Sequence, residues 1–215
     1  MLLIFDLDGT LIDSRSCIVK ATQQAFETSG LAIPTEDQIV SSMGIPIEVT
    51  FPRWSCSIEV EDLLTSYRSI YKKVSKTELK VFEGIPEAVA RLHQDHTLAI
   101  ATSKKHSVAE QNLETTGLLQ YFDMIVGSDD VQNYKPHPES IERILNRFQT
   151  PRTQTWMIGD ATTDLEMGEA ANVCTCAVTW GAHSVDNLAS FDPTSIIHSP
   201  AEFLELFGSM LADAL

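Results

Sequence analysis

The chain has 215 residues, 43% of them hydrophobic, and 30 acidic against 15 basic side chains give a formal net charge of −15. This length allows one large domain or two modest ones. The acidic balance, with no Lys or Arg after Arg152, argues against nucleic acid and an anionic membrane as partners. The chain has no apolar run of about 18 residues, so we predict no membrane span. An apolar run already at residue 2 leaves no room for a signal peptide, and we expect a cytoplasmic protein.

Short apolar runs that alternate with helical periodicity predict an α/β fold with a Rossmann-like parallel sheet. The strands are predicted at residues 2–5, 98–102, 124–127, 155–158, 174–178 and 195–197. The helices of this part of the chain are predicted near residues 86–93, 107–115, 138–147, 163–171 and 200–211.

Residues 15–79 differ, because they show helical periodicity and few strand signals. Helices are predicted at residues 18–26, 36–40 and 58–74, with Asp13 and Ser14 as N-cap candidates for the first. An insert of about 65 residues is far longer than an ordinary connection between a strand and a helix. We therefore expect an all-helical cap domain at 15–79 and an α/β core domain made of residues 1–14 and 80–215.

Asp6 and Asp8 follow the first apolar run, and a glycine comes next. Strand side chains alternate in direction, so the two carboxylates point the same way at a strand end. Such a pair calls for a divalent cation or for a division of labour between nucleophile and acid. The carboxyl end of a parallel sheet is also where α/β folds bind their ligands.

Further polar side chains follow later strands, at residues 102–104, at Lys135, and at Asp160 and Asp164. Together with the first two acids they supply carboxylates, a hydroxyl and an ammonium group at one edge of one sheet. This set suits phosphoryl transfer, in which a carboxylate attacks phosphorus, Mg²⁺ binds carboxylate oxygens, and a hydroxyl and a lysine hold the remaining phosphoryl oxygens.

These residues resemble the four motifs of the haloacid dehalogenase superfamily, specifically its phosphatases with a helical cap inserted after the first strand. Residues 6–14 match the first motif, Thr102 the second, Lys135 the third, and Asp160 with Asp164 the fourth. The resemblance covers essentially the whole chain in the right order and is greatest to phosphoglycolate phosphatases.

The resemblance implies a role for each acid. Asp6 would be the nucleophile and a Mg²⁺ ligand. Asp8 would be the general acid and base, and its backbone carbonyl would also bind Mg²⁺. Asp160 would be the other direct ligand, whereas Asp164 would orient a metal-bound water or pair with Lys135.

The resemblance also implies contacts to the substrate. Thr102 and Lys135 would hold the phosphoryl group. Lys104, directly after the second motif, is a candidate contact to a substrate carboxylate or phosphate, and Ser103 is its neighbour. Gly44 falls where the family carries a cap loop that faces the substrate. Asp129 and Asp130 could cap a turn or support the metal; both remain open.

The most favoured reading is a Mg²⁺-dependent phosphatase of a small phosphorylated metabolite, acting through an aspartyl phosphate. Asp8 argues against dehalogenase and phosphonatase chemistry, which lack an acid there. Ile18 stands where sugar phosphomutases carry a histidine, so hydrolysis is favoured over a mutase. A pyrophosphatase, a broad sugar-phosphate phosphatase and a non-catalytic phosphate-binding regulator remain alternatives. The chain could be a monomer or a homodimer.

Overall fold

The computed structural model describes residues 1–55 and 60–209. Its eight strands are β1 (Leu2–Phe5), β2 (Ile12–Asp13), β3 (Lys80–Val81), β4 (Thr97–Ala101), β5 (Met124–Val126), β6 (Thr155–Gly159), β7 (Cys174–Val178) and β8 (Ser195–Ile197). Six of them form one sheet in the order β5-β4-β1-β6-β7-β8, and every neighbouring pair is parallel. The remaining two, β2 and β3, pair antiparallel with each other.

The helices follow in chain order as α1 (Arg15–Thr28), α2 (Glu36–Val40), α3 (Ile47–Trp54), α4 (Val60–Glu78), α5 (Ile85–Leu92), α6 (His106–Thr115), α7 (Glu139–Phe148), α8 (Thr162–Ala170), α9 (Val185–Ala189) and α10 (Glu202–Ser209). Short 3-10 turns connect some of these elements. Within residues 1–55 and 60–209, none of the helices combines the length and apolar character that crossing a membrane requires.

The sheet is buried on both faces, as expected for a parallel sheet. Leu3 and Phe5 of β1 belong to an apolar cluster with α5, α6 and α10, and Leu2 and Ile4 to a second cluster with α7 and α8. All four side chains are fully buried. The alternation of strand side chains therefore gives a three-layer architecture with the sheet in the middle.

Helices α1 to α4 lie between β2 and β3 and bury a cluster of their own. It is built from α1, α3 and α4 around Phe26, Phe51 and Tyr67, whose rings pack edge to face. Val108 of α6 packs against this cluster, so the helical segment lies on the α/β unit. The division into a core domain and a cap domain at residues 15–79 stays a prediction that this arrangement supports.

The six predicted sheet strands are confirmed to within one residue at each end. The prediction for residues 58–74 is confirmed from residue 60 onward, and α4 continues to Glu78, while residues 58 and 59 lie outside the described part. The last predicted helix begins later, at Glu202, and residues 210–211 are likewise outside the description. The sequence analysis missed β2, β3, α3 and α9.

Candidate active site

The predicted site residues meet where β1 gives way to its first loop. The order of the sheet places β1 between β4 and β6. The chain runs outward from β1 to β4 and β5 and then crosses to β6 on the other side of β1, and this reversal opens a crevice there. Asp6 directly follows β1, Thr102 follows β4 and Asp160 follows β6. The Asp6 amide donates to the carbonyl of Ile158 of β6 at 2.8 Å, so a backbone hydrogen bond to the neighbouring strand fixes the position of Asp6.

Three acids form a buried cluster in this crevice. Oxygen atoms of Asp6, Asp160 and Asp164 all lie within 4.8 Å of one another. Lys135 Nζ donates to Asp6 Oδ1 at 2.8 Å and to Asp164 Oδ1 at 2.6 Å. The other Asp164 oxygen accepts from the Ala161 amide at 3.1 Å. The predicted pairing of Asp164 with Lys135 is thus present.

Asp160 is fixed by partners from two other loops. Its Oδ1 accepts from Thr10 Oγ1 at 2.9 Å and its Oδ2 accepts from the Ala182 amide at 2.8 Å. A Cβ atom placed on Gly9 or on Gly181 would come within 2.2 Å of Asp160 Oδ2. Gly9 also has a φ of +82°, which disfavours any residue with a side chain. Both glycines therefore make room for this carboxylate.

Burial dominates the electrostatics of the cluster. It raises the pKa of Asp6 well above its ordinary value, against the opposing charge of Lys135. Burial, and then the charge of Asp164, raise the pKa of Asp160 to about 7. Burial acts to lower the pKa of Lys135, but the carboxylates of Asp164 and Asp6 outweigh it, and that pKa lies above its ordinary value.

The cluster fits a hard divalent cation. Its oxygens are carboxylate oxygens, which Mg²⁺ prefers, and they converge within the space of one coordination sphere. Three buried acids here face one buried lysine, Lys135, so the cluster is short of positive charge. A cation held by Asp6 and Asp160, with Asp164 beside them, would supply the missing positive charge. Whether the backbone carbonyl of Asp8 is also a ligand stays a prediction.

Asp8 has different surroundings from Asp6. Its Oδ1 accepts from the hydroxyl of Ser14 and lies 3.0 Å from Lys104 Nζ. Ser14 occupies the predicted N-cap position of α1, but its side chain makes no capping hydrogen bond. Lys104 Nζ also lies 4.4 Å from the centre of the Tyr71 ring. Burial acts to lower the pKa of Lys104, but the Asp8 carboxylate and Tyr71 outweigh it and raise that pKa.

A cavity of about 410 Å³ opens beside Asp8, between helices α1 to α4 on one side and the loop after β4 with α6 on the other. The three candidate substrate contacts, Ser103, Lys104 and Gly44, all line it. Ser103 Oγ donates to the Gly44 carbonyl at 2.6 Å, which joins the loop after α2 to the loop after β4. Their contact with a substrate stays a prediction.

The structure also places one predicted residue, Thr102, and the two acids whose role was left open, Asp129 and Asp130. Thr102 is buried at the end of β4, and its Oγ1 accepts from the Lys104 amide at 3.2 Å. Asp129 accepts from the His106 amide at 2.7 Å, and Asp130 accepts from the Gly127 amide at 2.8 Å. Asp129 therefore contacts the start of α6 and Asp130 closes the turn after β5, and neither belongs to the buried acid cluster.

The sequence analysis missed several residues that build the site. Thr10 and Gly181 shape the surroundings of Asp160, and Tyr71 with Asn112 supports Lys104. The Asn112 amide donates to Tyr71 Oη at 3.0 Å, and both side chains are buried. The position of residues 180–183 after a predicted strand indicates a loop that could line the pocket, so the loop of Gly181 was predicted and only its contact with Asp160 was not. Nothing in the sequence pattern points to Tyr71 or Asn112.

The sheet order, the acids after β1 and β6, and the helices inserted between β2 and β3 define an α/β enzyme of the haloacid dehalogenase type. The model of the haloacid dehalogenase-like hydrolase family matches residues 3–178, and the chain belongs to this family.

The chain is similar to named proteins of the family over nearly its whole length. It is 37% identical over 211 residues to "Probable phosphatase IndB" of Dickeya dadantii, an alignment that covers 94% of this chain and 90% of that protein. It is 32% identical over 206 residues to "Pyrophosphatase PpaX" of Halalkalibacterium halodurans, with 95% of each chain covered.

Solved structures agree with this likeness. A haloacid dehalogenase-like family hydrolase from Streptococcus pneumoniae superimposes with a TM-score of 0.84 at 30% identity, covering 96% of this chain and 97% of that one. A predicted phosphoglycolate phosphatase from Haemophilus somnus gives a TM-score of 0.88 at 21% identity, covering 95% and 96%. The second likeness concerns the fold alone.

Proposed function

We propose that the chain is a Mg²⁺-dependent phosphatase that hydrolyses a small phosphorylated metabolite through a phosphorylated Asp6. One observation carries the proposal: two acids of one loop have separate surroundings. Asp6 lies in the buried acid cluster against Lys135, whereas Asp8 faces the cavity beside Lys104. The names of the relatives, phosphatase and pyrophosphatase, support the same reaction class.

In the first step, the Asp6 carboxylate would attack phosphorus and the bond from phosphorus to the leaving oxygen would break. Asp8 would give its proton to that oxygen, so the product leaves as an alcohol. In the second step, Asp8 would take a proton from water, whose oxygen attacks the phosphorus of the aspartyl phosphate. Inorganic phosphate is released and the Asp6 carboxylate is restored.

The neighbours of these acids would bind the transferring group. Lys135 Nζ, 2.8 Å from Asp6 Oδ1, is close enough to reach a phosphoryl oxygen next to the nucleophile. Thr102 Oγ1 stands at the end of the adjacent strand and has a hydroxyl hydrogen to donate. Mg²⁺ held by Asp6 and Asp160, with Asp164 beside them, would offset the negative charge of the phosphoryl group.

A pyrophosphatase is the second candidate, because relatives that share 30–32% identity with this chain carry that name. Pyrophosphate would use the same acids and the same lysine, and only the leaving group would differ. A phosphoglycolate-like substrate has the support of fold neighbours alone. The choice between leaving groups therefore depends on the cavity, not on the acid cluster.

The reaction class is tested with p-nitrophenyl phosphate. We expect release of inorganic phosphate in Mg²⁺, no release in EDTA, and loss of release in an Asp6→Asn variant. Asp13→Asn is the matched control, because Asp13 lies in β2, soon after the loop of Asp6 and Asp8. Within residues 1–55 and 60–209, its carboxylate accepts a hydrogen bond from the Arg15 amide alone, at 3.4 Å. A wild-type protein that is folded and binds Mg²⁺ but releases no phosphate would contradict the proposal.

A further inference from the structure

The cavity beside Asp8 has one polar end and a largely apolar wall. Asp8 and Lys104 lie at the end nearest the reacting group, 3.0 Å apart. The wall continues with aliphatic and aromatic side chains from the inserted helices and α6, among them Ile18, Phe51 and Val108. A leaving group bonded to a phosphoryl group at Asp6 would extend from the polar end along this wall.

The cations of the cavity already face carboxylates or solvent. Lys104 is paired with Asp8, and Arg68 donates to Glu48 at 2.9 Å and to Glu61 at 3.1 Å. Lys105 Nζ lies 3.8 Å from Glu48. Lys72 also borders the cavity but is exposed. An anionic leaving group would therefore have to compete with Glu48 for Arg68 and Lys105. It would also compete for Lys104 with the Asp8 carboxylate that forms when Asp8 gives up its proton.

The size of the cavity also favours a leaving group that is larger and less polar than glycolate or phosphate. Its volume of about 410 Å³ falls within the range of about 300–1,000 Å³ typical of sites for drug-sized ligands. Glycolate or phosphate as the leaving group would occupy a small part of it and leave water against apolar side chains. A larger apolar group would remove that surface from water and gain the corresponding burial free energy.

We propose that the preferred substrate is a phosphate monoester whose leaving group is a neutral, predominantly apolar alcohol, an alkyl chain or a ring. This inference rests on the proposed phosphatase function and narrows its substrate class. It assigns the wall around Ile18, Phe51 and Val108 to recognition of the leaving group.

The test is a series of unbranched alkyl phosphates from ethyl to hexyl, with phosphoglycolate and pyrophosphate as comparisons. The leaving alcohols of this series have nearly equal acidity, so chemistry stays constant while buried area increases. We expect kcat/KM to rise by about fourfold per methylene, the transfer free energy of one buried CH₂ group expressed as a rate ratio. The kcat/KM for hexyl phosphate should also exceed the kcat/KM for phosphoglycolate and for pyrophosphate.

Two variants of Val108 connect the effect to the cavity. Val108→Thr keeps the volume and makes the wall polar, so we expect hexyl phosphate to lose about threefold or more in kcat/KM and ethyl phosphate to change little. Val108→Phe should fill part of the cavity and lower kcat/KM for the longer alkyl phosphates, which no longer fit. Val185→Thr is the matched control, because Val185 is 43% exposed and lies outside the cavity.

Three outcomes decide the matter. A rising series that Val108→Thr flattens and Val185→Thr leaves unchanged supports the inference. A flat series, or phosphoglycolate or pyrophosphate as the best substrate, overturns it and leaves the phosphatase function standing. Absence of phosphate release from every ester by folded protein in Mg²⁺ overturns the proposed function and the inference together.

Discussion

Lys135→Met tests the electrostatic balance of the acid cluster. Lys135 Nζ lies 2.8 Å from Asp6 Oδ1 and 2.6 Å from Asp164 Oδ1, and its side chain is only 3% exposed. Methionine keeps the length and much of the volume of lysine but carries no charge. In metal-free protein, the substitution leaves the three clustered acids without the cation that contacts two of them.

Removing one partner of a buried ion pair costs about 3–5 kcal/mol in stability, because the other charge remains buried. For a chain of this size, about 2–4 °C of Tm corresponds to each kcal/mol. We therefore expect Tm in EDTA at pH 8 to fall by about 6–20 °C. Protonation of the clustered carboxyl groups removes part of this stability cost, because a neutral carboxyl needs no counter-charge. The fall in Tm should therefore depend on pH.

The sign of that dependence follows from the raised pKa values. Burial raises the pKa of Asp6 and Asp160, in the latter to about 7, so their contribution to stability is present at acid pH and is lost as pH rises through these values. Without Lys135 the pKa of Asp6 rises further. The difference in Tm between Lys135→Met and wild type should thus shrink between pH 8 and pH 5.

The assay is differential scanning fluorimetry of both proteins in EDTA at pH 5, 6, 7 and 8. Lys20→Met is the matched control, because Lys20 forms an exposed pair with Glu78 and the side chain of Lys20 is 56% exposed. Exposed pairs are worth about 0–1 kcal/mol, so this control should shift Tm little at any pH. Equal Tm values for Lys135→Met and wild type across the range would refute the reasoning.

Three further substitutions test the neighbours of the cluster. Gly181→Ala places a Cβ atom 2.2 Å from Asp160 Oδ2 and should weaken Mg²⁺ binding in a calorimetric titration; unchanged affinity would count against the glycine's proposed role. Thr10→Val removes a 2.9 Å hydrogen bond to Asp160 and should weaken Mg²⁺ binding by about 10–100-fold, which the same titration measures. Asp8→Asn should lower kcat/KM, which reports the first step, by about 10²–10⁴ for ethyl phosphate but much less for p-nitrophenyl phosphate, since its leaving group needs no proton; equal losses in kcat/KM would exclude Asp8 as the acid.

The sequence was sufficient for the sheet and for the convergence of the main site residues. A short apolar run bounded by a turn signal, such as residues 2–5, favours a strand buried on both faces. Parallel strands end at the same edge, so Asp6, Thr102 and Asp160 had to come together once the strands were predicted. These conclusions depend on local pattern and general topology alone.

The missed elements depend on contacts that local pattern does not encode. The strands β2 and β3 have two residues each and exist through their pairing with each other, Ile12 opposite Val81. In α3, Pro52 interrupts a helical pattern that the packing of Phe51 against Phe26 nonetheless stabilises. Both outcomes are set by residues far apart in sequence.

The surroundings of the site residues were also beyond prediction. Thr10 and Asp160 are 150 positions apart, and Asn112 meets Tyr71 across the boundary between α6 and α4. Such pairs follow from how the inserted helices lie on the sheet. The sequence can therefore indicate which acids lie together, but the shape and polarity of the cavity had to come from the structure.

The central claim is that Asp6 carries the phosphoryl group during the reaction. Its most direct test is acid quenching of the enzyme during turnover of p-nitrophenyl phosphate in Mg²⁺, followed by borohydride reduction and peptide mass spectrometry. We predict a phosphoryl adduct on the peptide that contains Asp6. On reduction, residue 6 of that peptide should be converted from phosphorylated aspartate to homoserine. Phosphate release during steady turnover with no adduct at Asp6, or with an adduct at another residue, would contradict the claim.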